Sequence, residues 1–199
     1  PNPVVNYNNT SGKGPVDHFG ITSGNLKTIF EELSNFEFQK FDYLNPVIKY
    51  IKDHVPADVK VVLDDIVDQN GRRRGRGSYL NKTITIDNEW FNKASKEEVG
   101  KTLVKEIVHA VTRDYMGNYV DRNGNLKKNI DIPREIINLN LLFSEDRAKL
   151  KPELDKYAGV PTTQREKEVV YGATDIFEFV EVMMTEPAFQ EEMSKVEYK

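Results

Sequence analysis

Ser95-Lys96-Glu97-Glu98-Val99-Gly100-Lys101-Thr102-Leu103-Val104-Lys105-Glu106-Ile107-Val108-His109-Ala110-Val111-Thr112 reads as the body of one long helix. Ser95 and Glu98 have the spacing of a capping box, in which the serine hydroxyl accepts from the third helical N–H and the glutamate reaches back to the serine N–H. Beyond it Val99, Leu103, Val104, Ile107, Val108 and Val111 recur at helical spacing and cover about half the circumference at about 100° per residue. The pattern predicts a helix from Ser95 to about Tyr115 with that half against a core. Lys105, Glu106 and His109 fall together on the other half.

Working outward, Val59-Lys60-Val61-Val62-Leu63 and Tyr79 to Ile86 read as strands, the second carrying the alternation Thr83-Ile84-Thr85-Ile86. Between them Gly71-Arg72-Arg73-Arg74-Gly75-Arg76-Gly77 reads as a solvated hairpin tip. Upstream, Leu26, Ile29, Phe30 and Leu33 predict one short helix, and Val47, Ile48 and Ile51 after Pro46 another. Residues 1–23, rich in Asn, Gly, Pro and Ser, read as a tail or lead-in strand with little chemistry. Downstream, a turn-rich stretch from Gly117 to Lys127 precedes helical segments over Pro133–Phe143 and on through Lys156. After Gly159-Val160-Pro161, helices are expected over Asp175–Met184 and Glu186–Val196, the last opened by Pro187 in its first turn.

These elements give an α+β class: a small mixed sheet with an edge strand, a long central helix, and a mainly helical C-terminal half. The domain expectation is a lead-in over 1–23 and a single domain over 24–199, with lobes of about 24–116 and 117–199. At 199 residues, 38% hydrophobic and 30% charged, the composition is that of an ordinary globular chain. No apolar run approaches the length of a membrane span. The net charge of -4 gives no general attraction to nucleic acid or anionic lipid. The four arginines of Arg72–Arg76 could grip phosphate, but no aromatic residues interleave with them, which disfavours a nucleic-acid partner. The chain has no cysteine, so thiol nucleophiles, disulfides and Cys-based zinc sites are excluded, leaving His, Asp and Glu as strong metal ligands. A first residue of Pro1 rather than Met reads as a processed or trimmed chain, and localisation stays open.

Zinc peptidases use H-E-x-x-H because two histidines four apart on a helix can share one metal, while the glutamate between them reaches the bound water. Here the corresponding run is Lys105-Glu106-Ile107-Val108-His109. Taken alone, E-x-x-H on a polar helix face arises easily by chance and means solvated side chains. Its context is more specific: the run Thr102 to Thr112 resembles the metallopeptidase helix at every position except Lys105, and Tyr171-Gly172-Ala173-Thr174-Asp175-Ile176-Phe177-Glu178-Phe179-Val180-Glu181 resembles the segment that supplies the third ligand in anthrax lethal factor-like gluzincins. The resemblance spans roughly the second half of the chain. It implies a zincin-like fold, zinc as cofactor, His109 and Glu178 as metal ligands, Glu106 as general base and Tyr171 as a stabiliser of the oxyanion. It also implies a peptide or protein in a cleft beside Thr83–Ile86, where such enzymes keep an edge strand. For Glu178 the plainer reading is an exposed helix carboxylate, and for Tyr171 a packed surface tyrosine.

Lys105 stands at the position of the first ligand. An ammonium has no lone pair, and stripping its proton at neutral pH costs about 5 kcal/mol from an ordinary pKa near 10.4. The charged lysine is expected to occupy the metal's place instead, donating to His109 and pairing with Glu178 or Glu106. The expectation is therefore a metallopeptidase-like domain whose parent activity is metal-dependent peptide-bond hydrolysis, with zinc lost or deficient. The alternative is a pseudoenzyme serving as a protein-binding or structural module, such as a toxin docking copy or a virion component. His18, in the lead-in, and His54, before Val55-Pro56, are the only other histidines that could replace a ligand.

Overall fold

The computed structural model describes residues 17–156 and 163–194. The expected tail over 1–16, the Gly159-Val160-Pro161 break and the final turn to Val196 lie outside them. Three strands form one mixed sheet: β1 (Lys60–Asp64), β2 (Gly77–Leu80) and β3 (Thr83–Asp87). β3 is central, parallel to β1 and antiparallel to β2, with Lys60 opposite Thr83 and Tyr79 opposite Ile84. Two corrections follow. The stretch from Tyr79 to Ile86 is a hairpin rather than one strand, because Asn81 and Lys82 both take positive φ (49° and 58°) and reverse the chain. The Thr83–Ile86 segment is the middle of the sheet, not its edge; the edge on that side is β2.

The helices are α1 (Leu26–Ser34), α2 (Leu44–Ile51), α3 (Asn88–Phe91), α4 (Lys96–Met116), α5 (Arg134–Lys156), α6 (Gln164–Gly172), α7 (Ile176–Thr185) and α8 (Pro187–Ser194). α4 opens on the capping box, with Glu98 N donating to Ser95 Oγ and Ser95 N to Glu98. The two helical segments expected between Pro133 and Lys156 are one continuous helix, α5, with Pro152 inside it. α6 was not anticipated; it starts on a second capping box, Thr163 with Glu166, hidden in a polar run without helical apolar spacing.

Two hydrophobic clusters flank α4. The first joins its apolar face, with Leu103, Val104 and Ile107, to Ile84 and Ile86 of the sheet and to α1 and α2. The second gathers Phe143 of α5, Phe179 and Val182 of α7 and Phe189 of α8, with edge-to-face rings from Phe143 through Phe179 to Phe189. Residues 17–23 are no tail: Phe19 and Ile21, in a short 3-10 segment over His18–Ser23, are buried in the first cluster. Room for Phe19, and for Phe38 beside it, comes from Gly100, where an added Cβ would stand 2.6 Å from the Phe38 ring and 3.0 Å from that of Phe19. A glycine inside a helix normally costs about 1 kcal/mol; here it lets two aromatic rings lie on the helix backbone.

Candidate functional site

Lys101, Lys105, His109 and Arg113 recur every four residues, so they form a single ladder along one side of α4. α7 lies against that side and presents carboxylates, running antiparallel. Lys101 Nζ is 3.0 Å from Glu186 Oε2. Lys105 Nζ lies 2.9 Å from Glu186 Oε1 and 3.2 Å from Glu181 Oε1. His109 Nε2 is 3.2 Å from Glu178 Oε2, and Arg113 Nη2 donates to Glu178 Oε1 at 2.7 Å. The other guanidinium arm donates to the Tyr79 carbonyl at 3.1 Å, tying β2 to the same ladder.

Local sequence explains how α7 carries this set. Asp175 caps the helix by accepting from the N–H groups of Phe177 and Glu178, and Arg122 braces the Asp175 carboxylate at 3.0 Å. Ile176, Phe179 and Val182 take the opposite faces into the second cluster, leaving Glu178 and Glu181, three apart, turned to α4. Glu181 also accepts from Thr185 Oγ1 one turn on. Glu186 closes the helix as its C-terminal cap.

Burial sets the electrostatics. Glu106, His109, Glu178, Glu181 and Glu186 are all buried. The E-x-x-H pair is therefore not the solvated polar face of the plainer reading, because α7 packs along it and β2 passes over Glu106. Burial pushes Glu106 up to about 7, with neighbouring Glu181 adding to the rise and His109 opposing it. Burial would also raise Glu178, but His109, Tyr171 and Arg113 outweigh it and hold the carboxyl down at about 2. Lys105 is raised above the ordinary lysine range: desolvation would lower it, and the two facing carboxylates Glu181 and Glu186 win. Tyr171, at the end of α6, is 43% exposed; burial of its hydroxyl end and the Glu178 it faces push its pKa up. The Lys105 ammonium sits 6.0 Å from the Tyr171 ring centre.

Glu106, His109, Tyr171 and Lys105 thus line one cleft of about 790 Å³, and Glu178 lies behind His109. The expected partners of Lys105 were wrong: it pairs with Glu181 and Glu186, not with Glu178 or Glu106. His109 and Arg113 reach Glu178 first, because they are one and two turns further along α4. The cleft is bordered by Gly77 of β2, and no residue of Thr83–Ile86 lines it. An added Cβ at Gly77 would be 2.7 Å from Thr102 Cγ2 and 2.9 Å from Glu106 Cγ, so the strand passes directly over the glutamate. His18 packs edge-to-face on Phe91 and His54 stacks on Tyr50, both away from this cleft. Sequence reasoning missed Lys101, Arg113, Glu181 and Glu186; the four-residue spacing of the basic ladder was the available signal.

One nitrogen of His109 and one oxygen each of Glu178 and Glu181 lie within 4.8 Å of one another, so this buried group could hold a metal ion. Glu178 Oε2, Glu181 Oε2 and His109 Nδ1 have no directional hydrogen bond among the described residues. Lys105 shares Glu181 with that group through Oε1, so a metal held there would have the ammonium on the same carboxylate. No helix among the described residues is long and apolar enough to cross a membrane. What fold and site define is an α+β protein with a small three-stranded mixed sheet and a buried ionic cluster beside a cleft. Neither family models, curated proteins nor solved structures yield a match to this chain.

Proposed function

We propose that this chain is a zincin-like module in which the Lys105 ammonium takes the role of the metal, and that it binds a peptide segment rather than hydrolysing one. The observation that carries the reading is the seat of Lys105 Nζ between Glu181 and Glu186, both buried, at 3.2 and 2.9 Å. The charge count agrees. Three cations, Lys101, Lys105 and Arg113, face three carboxylates, Glu178, Glu181 and Glu186, while the fourth, Glu106, is pushed up to about 7. A divalent ion would add charge to a cluster already close to balance, in surroundings where uncompensated charge is costly. With the ammonium in that seat, no metal would acidify a water for Glu106, raised to about 7, or build up an oxyanion for Tyr171 to meet. The donor atoms suit zinc in kind, but the ammonium among them does not, and peptide hydrolysis through zinc does not follow from such a set.

The test is bound zinc per purified chain after dialysis against trace zinc at neutral pH, alongside Lys105→His. The native chain is expected to carry none and to cleave no peptide, while Lys105→His gains zinc through three ligands. Near-stoichiometric zinc in the native chain would overturn the reading. One observation favours a second reading, a metal held with Glu181 as replacement ligand: the approach of His109, Glu178 and Glu181 within 4.8 Å. In that case Glu181→Gln abolishes the metal binding of the native chain.

A further inference from the structure

We infer that the cleft receives an acidic peptide in extended form, added to the free edge of β2; this rests on the non-hydrolytic reading above. The backbone supplies the first argument. Asp87 N donates to Arg76 O at 2.9 Å, which fixes the alternation along the antiparallel pair. Arg76, Ser78 and Leu80 turn their polar groups to β3, so Gly77 and Tyr79 turn theirs outward. Arg113 takes the Tyr79 carbonyl, leaving both groups of Gly77 at the cleft and the N–H of Tyr79 further along the same edge. Unpaired strand edges of this kind accept an extended chain.

Charge supplies the second argument and names the occupant. Lys40, Arg74, Arg76 and Lys167 line the cleft and are exposed. Lys40, Arg76 and Lys167 form no salt bridge among the described residues, and Arg74 has only Asp68 at 3.6 Å. Of the carboxylates on the same walls, Glu98 accepts from Ser95, Glu181 and Glu186 hold the lysine ladder, Glu168 has an interaction of its own, and burial raises Glu106 to about 7, which cuts its charge at neutral pH. A basic rim on a chain of net charge -4 selects by complementarity for acidic side chains flanking the paired backbone.

The experiment uses the full chain and a fluorescein-labelled heptapeptide alternating glutamate and valine, read by anisotropy. Zinc is assayed on the same preparation. Controls are the lysine–valine peptide, the acidic peptide N-methylated at its valines, and single-stranded oligothymidylate. The acidic peptide is expected to bind at least about tenfold tighter than the lysine peptide, and Arg74→Glu with Arg76→Glu to weaken it about tenfold. N-methylation should weaken it on the native chain without any protein variant. No binding, equal binding of the two charge types, indifference to N-methylation, or tighter binding of the oligonucleotide would each overturn the inference. Zinc in the preparation would instead overturn the lysine-filled site, whatever the peptide does.

Discussion

At the scale of single residues, the ionic cluster is defined by what each group loses when its neighbour goes. Lys105→Met removes the cation shared by two buried carboxylates, and breaking such a pair from one side costs about 3 kcal/mol. Urea unfolding at neutral pH should show that loss, and Lys105→Arg should recover part of it. Glu106 has the opposite character. Its folded pKa of about 7 lies above the ordinary 4.5, so the folded state holds the proton more tightly than the unfolded chain. Its contribution is full below about 4.5 and is lost as pH rises through 7, on the order of 3 kcal/mol. Glu178, held down at about 2, contributes above 4.5 and loses its effect as pH falls toward 2. Unfolding free energies measured from pH 5 to 8 should therefore fall less steeply in Glu106→Gln than in the native chain; parallel curves would contradict the burial of a raised carboxyl.

At the scale of elements, α4 was the most legible part of the chain because its signals are local. A capping box and an apolar repeat are written within a few residues of where they act, and Ser95→Ala should cost about 1 kcal/mol in thermal unfolding. Gly100→Ala tests the opposite case: the gain in helix propensity is overridden by the rings of Phe38 and Phe19, for a net loss of about 2 kcal/mol. The proximity of His109 and Glu178 was also readable, through the two motif segments. The partners of Lys105 were not, because Glu181 and Glu186 reach it only when α7 crosses α4, 76 and 81 residues later in the chain. The hairpin at Asn81-Lys82 escaped notice for another reason: the alternation Thr83-Ile84-Thr85-Ile86 dominates the stretch, and the turn before it carries no glycine. α6 has strong caps but little apolar repeat, and its cover over the site depends on α7.

At the scale of the whole molecule, the site lies in the seam between two hydrophobic clusters, with α4 contributing to both sides. Arg113 spans the seam by holding the Tyr79 carbonyl of the sheet and Glu178 of α7 at once. If charge in that seam is closed by the chain itself, chelator and added zinc should both leave the thermal midpoint unchanged, whereas a ligand bound only by the folded state would raise it with concentration. The ammonium between Glu181 and Glu186 also differs from any dissolved ion in a way that reaches beyond stability. A cation fastened to the backbone by four methylenes follows no mass action: its supply is one per molecule from synthesis onward, and neither scarcity nor competition in the surroundings can dilute it.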